Sequence, residues 1–495
     1  MSKRVIALMQ VLILLVMFAG CKKNTKGEYS EFTSTIVIDE TGDGEQGTDN
    51  TGESGQHGGK SQTGKSQTVQ SGNKGNKTAN IQKGASVANL DFGGKTVKMA
   101  ITNDKTPTNS TKRMFADFEK QYNCKLSYDV INFGDFLKTL SAKLAGNQPY
   151  DIVYLHGSMF PAAAINRLLQ PLDDAISDSD KYNSSNPSKG GIDMHKTDYY
   201  LWNNKHYGVA GQNDVNVMLC YYNKNKFKDA GLEDPLTLSQ NGQWTWDKFI
   251  EMGKRVTDQK KGVYFCDHSV VGIVVNSFGG QYIKYNSPTD VKENTSDPKI
   301  FSGLKLLQRM AYGQDKILNT EAGSTSDPSQ FLNGNTYIYV SEDIRYTASI
   351  SNAIIDKKKL GGNTDVVGIC PVPLGDGNTS YPAGYVQGVG SMRGSSDIRY
   401  AVAFAYFRAN WQDTKSDKYQ MPEYARKMVK EYTSSPNTLF NRYSYDSNDG
   451  TGESSVEMRV HFIQQDVIAG NDIAKSLNKY KGSIQNAIDV TLRKK

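Results

Sequence analysis

Lys95-Thr96-Val97-Lys98-Met99-Ala100-Ile101, followed by the polar turn Thr102-Asn103-Asp104, opens the stretch that decides the fold. The heptapeptide reads as a strand. Over 111–122, Met114, Phe115, Phe118 and Tyr122 recur at helical spacing and predict an amphipathic helix. Lys125-Leu126-Ser127-Tyr128-Asp129-Val130-Ile131 alternates apolar with polar side chains, as a second strand does. A second helix is predicted over 134–144, where Leu137, Leu140 and Leu144 gather with Phe133 and Gly146 supplies the stop. Tyr150-Asp151-Ile152-Val153-Tyr154-Leu155 is apolar enough to be a strand covered on both faces. Strand, helix, strand, helix, strand implies a parallel sheet, and such sheets bind ligands beyond the carboxyl ends of their strands. Topology therefore picks out Asn103, Asp104, Asn132 and His156.

Upstream of this core the chain has a different character. Lys3 and Arg4 precede an apolar run from Val5 to Phe18 that is too short for a comfortable membrane span, and Phe18-Ala19-Gly20-Cys21 matches a lipobox. On that reading residues 1–20 are a signal peptide and Cys21 is lipidated, placing everything beyond it outside the cytoplasm; the alternative is an ordinary secretory signal that happens to contain a cysteine. Residues 21–93 read as a tether, rich in Gly, Ser, Thr, Asn and Gln, with Gly59-Lys60-Ser61-Gln62-Thr63 repeated at once as Gly64-Lys65-Ser66-Gln67-Thr68. Such a composition cannot bury enough apolar area to offset its ordering entropy. About 65 flexible residues would span on the order of 45 Å, enough to cross a cell-wall layer.

Downstream, residues 91–495 suffice for two lobes of ordinary domain size. The net charge of +6 is modest, and no basic stripe with interleaved aromatics argues for nucleic acid. Cys124, Cys220, Cys266 and Cys370 are widely spaced with no paired histidines, so neither a zinc site nor a cofactor is indicated. Outside the cell they would be disulfides or buried thiols. Trp246 follows Thr245, a capping residue, and reads as core, as does Trp411; Trp202 and Trp244 sit in polar loops as rim contacts or as nothing.

Several segments, in order, carry a family resemblance. Phe118-Glu119-Lys120-Gln121-Tyr122, then Ala145-Gly146-Asn147-Gln148-Pro149-Tyr150-Asp151-Ile152-Val153, Leu168-Leu169-Gln170-Pro171-Leu172-Asp173 and Lys205-His206-Tyr207-Gly208-Val209-Ala210 come first. Tyr221-Tyr222-Asn223-Lys224, Thr245-Trp246-Asp247-Lys248-Phe249, Phe331-Leu332-Asn333-Gly334 and Val367-Gly368-Ile369-Cys370-Pro371-Val372-Pro373 follow. Together they resemble the bacterial extracellular solute-binding proteins of family 1, similar to maltose-binding protein, which feed ABC importers. The resemblance implies an α/β, two-lobed periplasmic-binding-protein-like fold with hinge crossings and a cleft between the lobes. It places 94–212 plus 372–420 in lobe 1 and 213–371 plus 421–495 in lobe 2. It also implies a small-molecule solute, most simply a mono- or oligosaccharide, ABC permease subunits as partners and no enzymatic activity. Ligand would be held as the lobes close by differential affinity.

On this chain the expected ligand contacts are Asn103 and Asp104, His156, Gln212 and Asn213 at the hinge mouth, Asp343, Arg345 and Tyr346, and Tyr385 with Gln387 after the second crossing. Each has a plainer reading: a polar turn, an incidental histidine, a solvated loop. Family members commonly carry a Gly-x-Trp-like turn after the strand that here ends in Val340-Ser341-Glu342-Asp343-Ile344-Arg345-Tyr346. Arg345 introduces a cation that forks onto carboxylates, which makes an acidic solute thinkable, or it simply pairs with Asp343 or Glu342. The competing classes are a surface glycan-active enzyme, which would need two carboxylates converging across a cleft, and a ligand sensor without a transporter. No nucleophile elbow, metal-ligand spacing or phosphate loop supports the enzyme.

Overall fold

The computed structural model describes residues 85–102, 109–183, 185–186, 189–212, 214–313, 315–324, 327–343, 350–375, 379–412, 421–435, 437–440 and 455–492. Cys21 with residues 22–84 of its tether, and Asn103, Asp104, Asn213, Arg345 and Tyr346, lie outside the described residues. The last residues of the expected tether, 85–93, are described, and Val87 and Phe92 among them are buried against β1 and α1.

The opening stretch folds as its periodicity predicts. β1 is Lys95–Thr102, α1 Asn109–Tyr122, β2 Cys124–Ile131, α2 Phe136–Ala145 and β3 Ile152–His156. β1 pairs parallel with β2 along its whole length, from Lys95↔Cys124 to Thr102↔Ile131, and parallel with β3 through Met99↔Ile152. Gly146 caps α2, donating its N–H to Ala142. The predicted helix start at Gly134 is instead a short 3-10 turn over Phe133–Asp135, because the Asn132 side chain accepts the Gly134 N–H. His156 is the last residue of its strand rather than the first residue after it.

The chain then leaves this half through β4, Val215–Asn223, in which every residue is buried. Beyond it come α3 (Trp246–Val256), β5 (Tyr264–Asp267), α4 (Val271–Ser277), α5 (Pro298–Ala311), β6 (Leu318–Asn319), β7 (Thr336–Glu342) and β8 (Val367–Cys370). It returns through β9, Ala383–Gly390, and ends in α6 (Arg399–Asn410), α7 (Glu423–Ser434), the short β10 (Leu439–Phe440), α8 (Val456–Ile468) and α9 (Ile473–Thr491).

One curled sheet runs β6-β5-β7-β4-β9-β3-β1-β2, with β8 also on β4 and β10 on β9. The two crossing strands are its middle. β9 lies antiparallel to β3 through Gly388↔Leu155 and antiparallel to β4 through Tyr385↔Asn216, while the far part of β4 pairs with β7 and β8. Three apolar clusters follow this division. One joins β1 and α1 to α6 through Val97, Phe118 and Phe404; one joins β5, α5, α8 and α9 through Phe265, Leu307, Ile463 and Ile484; the third backs the crossing strands.

The tryptophans resolve into core and surface. Thr245 caps α3, its Oγ1 accepting the Lys248 N–H at 3.2 Å, and Trp246 is buried with its indole donating to Ser277 at 2.7 Å. Trp411 donates to Asp117 at 2.9 Å. Trp244 is not a rim contact: it is 1 % exposed and donates to the Pro371 carbonyl at 2.9 Å. Cys124, Cys220, Cys266 and Cys370 are buried free thiols. Among the described residues no helix is long and apolar enough to cross a membrane, and no cluster of His, Cys, Asp or Glu could hold a metal ion.

Candidate functional site

Strand pairing sets which side chains meet. Residues directly opposite one another share a sheet face, and so do residues two apart on one strand. His156 stands opposite Gln387, Tyr385 opposite Asn216, and Met218 opposite Glu342. The row His156, Gln387, Tyr385, Asn216, Met218, Glu342 therefore runs along one face, from the end of β3 across both crossing strands to the end of β7. The opposite face carries Val215, Val217 and Val386, packed in an apolar cluster with Ala425 and Met428 of α7. One side of the crossing is thus sealed by a helix, and the other presents mostly polar groups and rings.

The rings are close. The His156 imidazole lies 5.2 Å from the Tyr385 ring and 5.3 Å, edge-on, from Phe133, which follows β2. Three segments that are remote in sequence thereby build an aromatic patch at the carboxyl end of the β1–β3 half. Beside it sit two buried amides, Gln387 and Asn216, whose Nε2 and Nδ2 have no hydrogen-bond partner among the described residues. Asn216 was not singled out from the sequence; the structure places it inside β4.

The remaining expected contacts have structural work. The Asp343 carboxylate accepts the Val217 N–H at 2.8 Å, and its own N–H donates to the Val217 carbonyl at 2.9 Å, extending the ladder between β7 and β4. The Gln212 carbonyl accepts from the buried Lys196 ammonium at 2.6 Å, and Lys196 also pairs with Asp193 at 3.1 Å. The Gln212 Oε1 is buried with no partner among the described residues. Asp214, next to the hinge mouth, is buried in an ion pair with Arg408 of α6, whose guanidinium lies 4.4 Å over the Tyr154 ring. Burial pushes the Asp214 carboxyl up, against the pull of Arg408 and of the Gly211 N–H. Burial also opposes the Arg408 charge, but Asp214 and Tyr154 outweigh it and its pKa is raised. This pair fastens the start of β4 to the first half of the molecule.

Two paired crossing strands, packed against a helix on one side and polar on the other, thus form the middle of the sheet. The sequence profile of the bacterial extracellular solute-binding proteins matches residues 104–429. The chain belongs to that family. Solved structures agree on the fold. An ABC substrate-binding protein of Listeria monocytogenes, in complex with cycloalternan, is 18% identical with a TM-score of 0.58, over 79% of this chain and 98% of that one. The GacH receptor of Streptomyces glaucescens is 16% identical with a TM-score of 0.57, over 81% and 99%. The galacto-N-biose/lacto-N-biose I-binding protein of Bifidobacterium longum is 14% identical with a TM-score of 0.58, over 81% and 98%. No curated protein matches. As a member of this family of solute-binding proteins, the chain is an extracellular binding protein and not an enzyme.

Proposed function

We propose that this solute-binding protein is the receptor of an ABC importer for a carbohydrate, held in the cleft beside Phe133, His156, Tyr385, Asn216 and Gln387. The observation that carries this reading is the row on one face of the crossing: rings for the apolar face of a sugar, set beside amide donors that have no acceptor among the described residues. The similar proteins are described in complex with, or as binding, cycloalternan, acarbose and lacto-N-biose, which supports the same ligand class. The lobes are taken as 94–212 with 372–420, and 213–371 with 421–495, closing about β4 and β9. Permease subunits would read the closed state.

A thermal-shift screen of glucose, galactose, maltose, maltotetraose, lactose, xylobiose and glucuronate tests the reading, since a ligand of the folded state raises the midpoint. One or more neutral saccharides should raise it, and Tyr385→Ala should weaken that ligand about tenfold, roughly 1.4 kcal/mol. If none raises it, the carbohydrate reading fails; if glucuronate alone does, the ligand is acidic and Arg345 and Tyr346 become the residues to substitute.

Anchoring is a separate part of the proposal, carried by Phe18-Ala19-Gly20-Cys21. Lipid on Cys21, with the segment 22–84 as tether, would keep the receptor concentrated beside its permease. Cys21→Ala should move the protein from the membrane fraction to the soluble one; continued membrane association in that variant overturns the anchor.

A further inference from the structure

Asn216 and Gln387 are 7 % and 5 % exposed, and each keeps an amide N–H₂ without an acceptor among the described residues. A buried donor left unpaired is costly and uncommon in a native protein. Here there are two, on neighbouring strands and on one face. Asn216 stands opposite Tyr385, and Gln387 is the next residue on that face of β9. Donors of this kind are met by a ligand that brings acceptor oxygens.

Their position has a second consequence. Both sit on the crossing strands, about which the two halves rotate. Rotation changes the distance of each half from the other far more than the distance of either from the strands between them. A contact made equally well in two states shifts no equilibrium between them, however strong it is.

We propose that Asn216 and Gln387 are a fixed anchor on the hinge axis, donating to two oxygens of one uncharged polyol ring in the open and the closed protein alike. They supply capture affinity and no closing free energy. Closure is then driven by groups off the axis, with Phe133 and His156 on one side and Glu342 at the end of β7 on the other. The inference rests on the carbohydrate reading of the cleft.

The test uses full-length protein in a Cys21→Ala background, with donor and acceptor dyes on Lys120→Cys and Lys305→Cys, two exposed sites in the separate halves. The native thiols are buried and should not react. The probe is whichever saccharide of the panel above binds best. Asn216→Ala and Gln387→Ala should each raise its Kd tenfold or more, while energy transfer at saturation equals that of the parent protein. The melting temperature of the unliganded protein should stay level or rise, because each change removes an unpaired buried donor; a merely structural role would lower it. His156→Ala should instead reduce the closed fraction at saturation. Unchanged Kd in both amide variants, or loss of closure at saturation in either, overturns the anchor. Absence of binding by every saccharide overturns the carbohydrate reading itself, and the anchor falls with it.

Discussion

At pH 8, Asp267→Asn is expected to raise the unfolding free energy, by up to about 4 kcal/mol less the cost of the one amide donor it leaves unpaired, and to flatten the dependence of stability on pH between 4 and 7. Asp267 ends β5 and is fully buried. Its Oδ1 accepts the Ser269 N–H at 3.0 Å, whereas Oδ2 is buried without a partner among the described residues. Gly323 is packed so tightly against it that a Cβ there would lie 2.6 Å from Oδ2. Burial pushes the carboxyl up from 3.8 to about 7, with Asp327 adding to the effect and the Ser269 bonds opposing it. A carboxyl whose folded pKa is raised holds a proton that the unfolded chain has already lost. Stability is therefore full below pH 4, falls as pH rises from about 4 to 7, and stays low above that. Three pH units at about 1.36 kcal/mol each set the ~4 kcal/mol. Asn keeps the capping acceptor and cannot ionise. Urea unfolding at pH 5 and pH 8 measures it: a variant no more stable than the parent at pH 8 would show that this carboxyl is not held neutral.

The second large effect is a loss. Arg408→Met should cost about 3–5 kcal/mol at pH 8, because it leaves the Asp214 carboxyl buried without its cation. Methionine fills much of the space over Tyr154, so cavity formation is the lesser part. Since burial already raises the Asp214 pKa, the variant relieves itself by protonation, and the deficit should be smaller at pH 5 than at pH 8. Adding Asp214→Asn should recover part of the loss while keeping an acceptor for the Gly211 N–H, which Asp214 now binds at 2.7 Å. Denaturant midpoints of the parent, single and double variants at both pH values decide it. An Arg408→Met protein as stable as the parent at pH 8 would mean that Asp214 reaches solvent.

The two predictions share a cause. Each concerns a carboxylate close to a strand end that the fold has enclosed, and each was unreadable along the chain. The segment Gln212-Asn213-Asp214 looks like a polar loop open to ligand; its last residue is instead committed to a partner 194 positions away. Trp244 looks like a loop tryptophan, yet the Pro371 carbonyl draws it inside. His156 and Tyr385, which topology and the family resemblance marked separately, do meet.

Local pattern alone determined the α/β architecture. The apolar spacing in 95–155 and the stop at Gly146 depend on near neighbours, so the strands and helices of that stretch and their parallel order could be read directly, and ordered family motifs carried the class. Only the tertiary structure decided which face of the crossing strands is polar and which is sealed. A strand shows both faces equally in sequence, and shifting its pairing by one residue exchanges them. The register Tyr385↔Asn216 and His156↔Gln387, set by segments far apart in the chain, put two amides and two rings on the polar side and Val215, Val217 and Val386 on the side that α7 seals.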